Sequence, residues 1–190
     1  KDFPNQVWST YGMTETLSHI ALRKLNGTDA SDWYTPFDSV RIRLSAEGTL
    51  IIHAPKVCAE ELTTNDIAEI NADGKFRILG RKDNTINSGG VKIQIEQVEA
   101  RLREHLEIPF QITSAPDAKF GEIVVLLYNK VYDVENVRRI CLEALPTYWI
   151  PKRYIAVDEL PLTGTGKPDR ATARRWASLN CHLEQSEGSR

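Results

Sequence analysis

The sequence is poor in cysteine and contains no clustered metal ligands. Its three cysteines stand at positions 58, 141 and 181, and none belongs to a Cys-x-x-Cys motif. The four histidines are equally scattered, so no group has the spacing of a metal site. This pattern excludes a zinc ribbon, argues against a disulfide framework and favours a reducing, cytoplasmic environment.

The sequence also lacks an excess of basic charge and a long hydrophobic run. Its 24 Lys and Arg residues against 26 Asp and Glu residues give a formal net charge of −2, which removes the strongest electrostatic reason to expect a nucleic-acid partner. No apolar stretch approaches the ~20 residues that a membrane-spanning helix needs. With 190 residues, 41% of them hydrophobic, the chain is expected to fold as one or two globular domains.

The first part of the chain, residues 1–80, has the pattern of short antiparallel strands. Apolar and basic residues alternate from Val40 to Leu44, and a turn and a second apolar segment follow, which predicts a hairpin over residues 40–53. A second hairpin is predicted over residues 67–79. Short strands in succession indicate a small barrel or sandwich.

The second part, residues 81–190, mixes helical and strand patterns and predicts a compact α+β domain. Apolar residues at helical spacing predict helices, and short apolar runs predict buried strands. The predicted helices span 95–106, 134–145 and 171–177, and the predicted strands span 112–115, 123–128 and 153–157. The fold class is therefore expected to be α+β, with a small antiparallel, β-barrel-like subdomain before this domain and a boundary near Gly80–Asp83.

The first candidate motif is Tyr11-Gly12-Met13-Thr14-Glu15-Thr16. Gly12 permits a tight turn, and Thr14 can cap a helix while it offers its hydroxyl to an anion. Glu15 supplies oxygen ligands of the kind that Mg²⁺ prefers. From these residues alone, a capped helix without a ligand is the simpler interpretation.

Two further segments are polar or rich in glycine. Asp66 ends the segment Thr63-Thr64-Asn65-Asp66 and can accept hydrogen bonds from a ribose diol, although these residues alone favour a turn. Residues 80–90 contain three glycines and two asparagines, so the backbone can absorb large rotations there. The second segment is interpreted either as a surface loop or, from its place between the predicted domains, as a hinge.

The fourth segment runs from Pro161 to Arg170 as Pro-Leu-Thr-Gly-Thr-Gly-Lys-Pro-Asp-Arg. It is not a Walker A loop, because that motif requires glycine at position 161 and Ser or Thr at position 168, where this sequence has proline. What remains is a glycine-rich loop that can present Lys167 to an anionic transition state. A solvated lysine is the alternative interpretation.

In this order the four segments resemble the motifs of the adenylate-forming superfamily, which includes acyl-CoA synthetases, firefly luciferase and the adenylation domains of peptide synthetases. The matching residues are Tyr11-Gly12-x-Thr14-Glu15, Gly48-x-Leu50-x-Ile52, Pro161-x-Thr163-x-x-Gly166-Lys167-x-x-Arg170, and in the hinge region Gly80, Arg81, Asp83, Ile86, Gly90, Ile93 and Glu99. The sequences Tyr-Gly-Met-Thr-Glu-Thr and Ile-Asn-Ser-Gly-Gly most resemble the o-succinylbenzoate–CoA ligases of menaquinone biosynthesis.

The sequence departs from the family pattern at a few positions. Only Thr64 and Asp66 remain of the family's Tyr-x-Thr-Gly-Asp, so the predicted ribose contact depends mainly on Asp66. Asn87 and Ile95 stand where the family has lysine and proline.

The resemblance implies an AMP-forming reaction in two halves. A carboxylate attacks the α-phosphorus of ATP to give an acyl-adenylate and pyrophosphate, and the thiol of coenzyme A (CoA) then displaces AMP. The implied ligands are a small carboxylate, ATP, Mg²⁺ and CoA, and a homodimer is left open. The residues implied for catalysis are Lys167, Thr14 and Glu15, with Glu15 on the metal, and those for nucleotide or coenzyme binding are Tyr11, Gly12, Asp66, Arg81, Gly89 and Gly90.

The resemblance also implies individual roles. In the nucleotide site, Tyr11 lies along the adenine, Asp66 and Arg81 hold the ribose, and Thr14 and Lys167 contact the α-phosphate. The second domain then rotates about Asp83, which withdraws Lys167 and brings Gly89–Gly90 to the site. Ser18 and His19 are candidates for lining the carboxylate pocket.

One family element does not occur before Tyr11, namely a Ser/Thr/Gly-rich loop with a lysine that holds the ATP phosphates. We therefore expect the chain to be the C-terminal portion of a longer enzyme and to be inactive alone, with residues 1–80 ending the large domain and residues 81–190 forming the mobile C-terminal domain. Two alternatives stay open. One is an adenylation domain that serves a carrier protein, and the other is a noncatalytic anion-binding module that uses the basic segment from Lys167 to Arg175.

Overall fold

The computed structural model describes the backbone of residues 4–187 and the side chains of residues 4–180. The chain divides into two compact units, of which the first ends at Asp83 and the second begins at Asn84. Each unit has its own hydrophobic core. The predicted α+β class is confirmed, and the division lies three residues after the predicted boundary at residue 80.

The first unit consists of two antiparallel sheets. The three-stranded sheet contains β1 (Trp8–Gly12), β2 (His19–Lys24) and β3 (Thr35–Pro36), and the four-stranded sheet contains β4 (Arg41–Leu44), β5 (Thr49–His53), β6 (Leu62–Ile70) and β7 (Phe76–Arg81). An antiparallel bridge between Tyr34 and Phe76 links the two sheets. Side chains from both sheets, including Ile20, Leu50 and Phe76, form one core, which gives the predicted barrel-like arrangement.

Both predicted hairpins are present, as the β4–β5 and β6–β7 pairs. The segment Thr63–Asp66 differs from the prediction, because it lies within β6 and not in a turn. Thr64 is buried and Thr63 is exposed, which is the alternation of a strand with one face in the core. Threonine suits this position because its branched side chain packs well on a pleated surface.

The predicted helix after Thr14 is also wrong. Residues Thr14–Thr16 form a single 3₁₀ turn, and the chain then passes through Leu17, at φ 52°, directly into β2. Pairing between β1 and β2 determines this conformation, because it places Ala21 of β2 opposite Tyr11 of β1. Tertiary contacts of this kind routinely override local helix propensity.

The second unit is a five-stranded sheet with helices on both faces. Its strands are β8 (Thr85–Ser88), β9 (Val91–Gln94), β10 (Phe110–Asp117), β11 (Gly121–Asn129) and β12 (Arg153–Val157), and its helices are α1 (Ile95–Arg103), α2 (Val134–Ala144) and α3 (Arg170–Glu187). The β11–β12 pair is parallel and the other pairs are antiparallel. None of the helices within residues 4–187 combines the length and the hydrophobicity that crossing a bilayer requires.

The apolar run of β11 explains how both faces are covered. Val124 and Leu126 pack in the core that contains residues of α1 and α2, whereas Val125 and Leu127 pack against Ala173 of α3 and its neighbours. A strand buried on both faces reads as a continuous hydrophobic run, as predicted. The helix α3 is longer than the predicted 171–177, and residues 179 and 180 of its extension are exposed.

Burial of Cys141 on α2 makes the stability of the fold sensitive to alkaline pH. The thiol is completely buried, and this burial raises its pKa from 9.0 to about 11. The unfolded thiol ionises above pH 9.0, whereas the folded thiol stays neutral until about pH 11. Ionisation therefore favours the unfolded state, and the free energy of unfolding should fall by about 2 to 3 kcal/mol over this interval.

Urea unfolding of the wild type and of Cys141→Ala between pH 8 and pH 11 checks this prediction. The variant lacks the titrating thiol, so its free energy of unfolding should fall less steeply with pH. Equal slopes for the two proteins would show that Cys141 does not contribute.

Candidate functional site

A polar cleft of about 370 Å³ lies in the first unit, between the turn after β1 and the strands β6 and β7. Four of the predicted site residues line it, namely Gly12, Asp66 and Arg81, predicted for nucleotide binding, and Glu15, predicted for the metal. They come from three segments that are far apart in the sequence. Met13 and residues 62–65 complete the lining.

Asp66 and Arg81 are brought together by strand register. They are directly opposite each other in the β6–β7 pair, so their side chains project from the same face of the sheet. Arg81 also donates from Nη2 to Oδ2 of Asp83 at 3.2 Å, where both side chains are more than half exposed. The strand pairing thus places an acidic and a basic residue opposite each other in the lining of the cleft.

Tyr11 supports Asp66 from beneath the cleft. Its hydroxyl donates a hydrogen bond of 2.5 Å to Oδ2 of Asp66, while its ring packs 5.1 Å from the Phe76 ring and 5.8 Å from the Tyr34 ring. Burial raises the pKa of Tyr11 well above its usual value, and the hydrogen bond to Asp66 and the charge of Asp66 raise it further. The phenol therefore remains a hydrogen-bond donor throughout the physiological pH range, and its contact with adenine stays a prediction.

The turn that carries Thr14 and Glu15 is held by Thr16, a residue to which the sequence analysis gave no role. Thr16 is fully buried, and its hydroxyl accepts from the Met13 N–H at 3.1 Å and lies 2.8 Å from the carbonyl oxygen of Ser18. These bonds close the turn, so Thr14 and Glu15 are left exposed. The only signal in the sequence was a threonine three residues after the start of the turn.

Gly12 is required by the close approach of the two strands. A Cβ atom at this position would lie 2.5 Å from the carbonyl oxygen of Ser18. No side chain fits there without a backbone shift, because real Cβ atoms do not approach carbonyl oxygens so closely. The predicted tight turn at Gly12 therefore has a physical basis in the packing of β1 against β2.

A second, more apolar groove of about 510 Å³ adjoins the cleft and shares Gly12 and Met13 with it. Three residues predicted for the α-phosphate or for the carboxylate pocket line this groove, namely Thr14, Ser18 and His19. Leu17 also lines it, with 86% of its surface exposed. The first unit thus combines a polar cleft with an adjoining apolar groove.

The remaining predicted residues belong to the second unit. Gly89 and Gly90 have φ values of 59° and 85° and form the two-residue turn between β8 and β9, which is the backbone of a hairpin turn that favours glycine. The Gly89 N–H donates to the carbonyl oxygen of Phe120 at 2.8 Å.

Lys167 lies on an exposed, hydrogen-bonded loop before α3. The Thr163 N–H donates to the carbonyl oxygen of Lys167 at 2.7 Å, and the Gly166 N–H donates to the carbonyl oxygen of Thr163 at 2.8 Å. The Lys167 N–H donates to Oγ1 of Thr163 at 3.2 Å. This loop therefore has a defined backbone that presents an exposed ammonium group.

Sequence comparison relates the chain to two groups of curated proteins. It is 25% identical over 195 residues to the 2-succinylbenzoate–CoA ligase of Listeria monocytogenes, an alignment that covers 90% of this chain and 40% of that protein. It is 34% identical over 120 residues to gramicidin S synthase 1 of Brevibacillus brevis, which covers 61% of this chain and 11% of that protein. The chain thus spans 40% or less of the length of these relatives, and no family model matches it.

Comparison with solved structures gives the same fold. The o-succinylbenzoate CoA synthetase of Bacillus subtilis, in complex with ATP and magnesium ion, aligns with a TM-score of 0.72 at 23% identity, over 87% of this chain and 41% of that protein. The relatives and structural neighbours of this chain are thus AMP-forming acyl-CoA ligases and peptide synthetases. The predicted resemblance is confirmed, and both the acyl-CoA ligase and the peptide-synthetase branches are among its relatives.

Proposed function

We propose that this chain supplies the nucleotide cleft and the Lys167 loop of an ATP-dependent acid–CoA ligase. The observation that carries the proposal is the cleft in which Gly12, Glu15, Asp66 and Arg81 converge. Asp66 accepts hydrogen bonds from the ribose diol, and Arg81 beside it donates to the nucleotide. Gly12 lets the turn pack against Ser18 at the edge of the cleft.

The proposed reaction needs no nucleophilic side chain. An oxygen of the substrate carboxylate attacks the α-phosphorus of ATP, and the bond to pyrophosphate breaks. The sulfur of CoA then attacks the acyl carbon, AMP leaves, and the thiol proton passes to solvent. Positioning and charge stabilisation supply the rate in such a scheme, and Thr14 and Lys167 serve the α-phosphate.

Glu15 fits the Mg²⁺ that such a reaction uses. It is an exposed carboxylate at the rim of the cleft, and Mg²⁺ is commonly held by one or two carboxylates together with substrate phosphates and water. No group of three metal-ligating side chains occurs among the described residues, which agrees with an ion that arrives with its nucleotide. The ion would neutralise phosphate charge there.

The proposed carboxylate is o-succinylbenzoate, which would make the enzyme a cytoplasmic ligase of menaquinone biosynthesis. Support comes from the relative that covers 90% of this chain and from the Tyr11–Thr16 sequence. The apolar groove beside the cleft, with Ser18 and His19 in its lining, would accept the aromatic part of the acid. A peptide-synthetase relative at 34% identity supports the second candidate, an adenylation domain that serves a carrier protein.

Pyrophosphate release by the full-length protein tests the proposal. Each reaction contains ATP, Mg²⁺ and one acid from a panel of o-succinylbenzoate, other aromatic acids and amino acids, with and without CoA. We expect release with o-succinylbenzoate and a CoA thioester as product. Amino-acid-dependent release without a thioester would favour the carrier-protein function, and the absence of release with every acid of the panel would favour a noncatalytic anion-binding module. The 190-residue chain alone should release none.

The Tyr11–Asp66 hydrogen bond provides a direct test of the nucleotide cleft. Tyr11→Phe removes the donor that fixes Asp66, so the Kd for ATP should rise about tenfold, equivalent to about 1.4 kcal/mol. Tyr34→Phe is the matched control, because its hydroxyl lies 2.8 Å from Oγ of Ser9 and its ring packs in the same core.

Isothermal titration of the full-length protein with a nonhydrolysable ATP analogue measures both variants. Each should lose about 1 kcal/mol of stability with its hydrogen bond, but only Tyr11→Phe should weaken binding. An equal rise in Kd for the two variants would mean that core packing, and not the orientation of Asp66, controls the cleft.

A further inference from the structure

The second unit contains a buried ion pair between Glu99 and Arg170. Both residues match family motifs, but no role has been assigned to either. Glu99, on α1, has only 3% of its side chain exposed. Arg170, the first residue of α3, donates to it through both terminal nitrogens, from Nη1 to Oε1 at 2.5 Å and from Nη2 to Oε2 at 2.8 Å. This two-pronged geometry is the strongest form of a carboxylate–guanidinium contact.

The backbone of β10 completes the network. The Ile112 N–H donates to Oε1 of Glu99 at 3.0 Å, and Nη1 of Arg170 donates to the carbonyl oxygen of Ile112 at 3.1 Å. Arg103 donates to Oε2 of Glu99 at 3.1 Å from an exposed position. The pair thus locks α1, β10 and the start of α3 together.

Stability alone does not explain a charged pair at this place. Apolar side chains of similar volume often stabilise a protein equally well or better than a buried ion pair, because the pair does not recover the whole cost of removing its charges from water. Glu99 lies on the buried face of α1, together with Val98 and Leu102. The ion pair instead contributes conformational specificity, because its two hydrogen bonds fix one orientation of the Arg170 side chain.

The orientation of Arg170 matters because the ion pair connects the segments that carry the Lys167 loop and the Gly89–Gly90 hairpin. Lys167 is three residues before Arg170, and the other end of its loop is also fixed: the carbonyl oxygen of Pro161 accepts from Nε2 of Gln111 at 2.8 Å and from the Asp169 N–H at 3.0 Å. Upstream, α1 follows β9 directly, and β9 forms the hairpin that contains the Gly89–Gly90 turn.

We propose that Glu99 and Arg170 are positioning residues that fix the Lys167 loop and the Gly89–Gly90 hairpin on one rigid frame. Because both elements belong to this frame, one rotation of the second unit withdraws the Lys167 loop from the nucleotide cleft and brings the Gly89–Gly90 hairpin to it. The role assigned to Lys167 rests on the proposed function, but the anchoring of its loop does not. The anchoring can therefore be measured separately from the reaction.

Hydrogen exchange of the 190-residue chain tests the anchoring. The double variant Glu99→Leu/Arg170→Met replaces the pair by apolar side chains and should keep a thermal midpoint close to that of the wild type. We expect the amides of Gly166 and Lys167 to exchange about tenfold faster, the effect of losing about 1.4 kcal/mol of local protection. Arg103→Ala, which removes an exposed partner of the same carboxylate, should leave these amides unchanged. Unchanged exchange in the double variant would overturn the proposal.

The two half-reactions of the full-length protein test the consequence. The double variant should form adenylate at least tenfold more slowly, while transfer from preformed adenylate to CoA stays at the wild-type rate. In a Lys167→Ala background the same substitutions should cause no further loss of adenylate formation. The effects of substitutions on a rate do not add when the substituted residues act through the same group. Full adenylate formation in the double variant, or an equal fall in both half-reactions, would overturn the positioning role. A wild-type protein that performs neither half-reaction would overturn the proposed function, and hydrogen exchange would still decide the anchoring.

Discussion

Replacing Lys167 by alanine is expected to slow adenylate formation by about 100- to 1,000-fold, the usual cost of removing one preorganised charge-stabilising group. Negative charge grows on the α-phosphate as the carboxylate attacks, and Lys167 is the group proposed to neutralise it. Its ammonium is exposed on a loop with a defined backbone, so it can be delivered without reorganisation. Transfer of the acyl group from preformed adenylate to CoA should continue at the wild-type rate.

The measurement compares the two half-reactions in the full-length protein. Adenylate formation is followed by pyrophosphate release, and acyl transfer is followed by thioester formation from synthetic acyl-adenylate. Lys130→Ala is the matched control, because Lys130 is an exposed lysine of the same unit that pairs with Asp158. If Lys167→Ala slows both half-reactions equally, the lysine does not act in one domain orientation only.

The parts of the fold that the sequence predicted well are those with a local signal. The alternation from Val40 to Leu44 predicted the β4–β5 hairpin, and the continuous run from Ile123 to Tyr128 predicted the strand that is buried on both faces. In each case the pattern of side chains along a short segment is set directly by the face that is buried.

The parts that the sequence did not predict depend on partners far along the chain. The polar residues Thr63–Asp66 gave no apolar alternation, and only pairing with β5 and β7 makes them a strand. The position of Asp66 beside Arg81 follows from the same register. Thr14 begins only a 3₁₀ turn. The residues from His19 onward, which a helix would have included, pair with β1 as strand β2.

Glu99 is a position at which the sequence itself indicates a buried ion pair. Ile95, Val98 and Leu102 define the apolar face of α1, and position 99 falls on that face. A carboxylate there is expected to have a buried cationic partner. The identity of the partner was not predictable, because Arg170 is 71 residues away.

The proposed hinge provides the second prediction with a large expected effect. The first unit ends at Asp83 and the second begins at Asn84, and residues Lys82–Asn84 form a short 3₁₀ turn. The proposed reaction requires the second unit to present Lys167 in one half-reaction and the Gly89–Gly90 turn in the other. The change in orientation must be absorbed by a few backbone angles at this boundary.

Asp83→Pro in the full-length protein is expected to preserve one half-reaction and to abolish the other. Proline fixes φ near −65° and restricts the preceding residue, Lys82, to extended backbone, so the boundary can no longer take two conformations. Asp83→Ala is the matched control, because it removes the exposed ion pair with Arg81, worth at most about 1 kcal/mol, without restricting the backbone. Both half-reactions should continue in that variant, and the thermal midpoint should change little in either, since a boundary loop makes few packed contacts. Wild-type rates for both half-reactions in Asp83→Pro would place the hinge elsewhere, whereas parallel losses in the proline and alanine variants would assign the effect to the carboxylate of Asp83 and its pairing with Arg81.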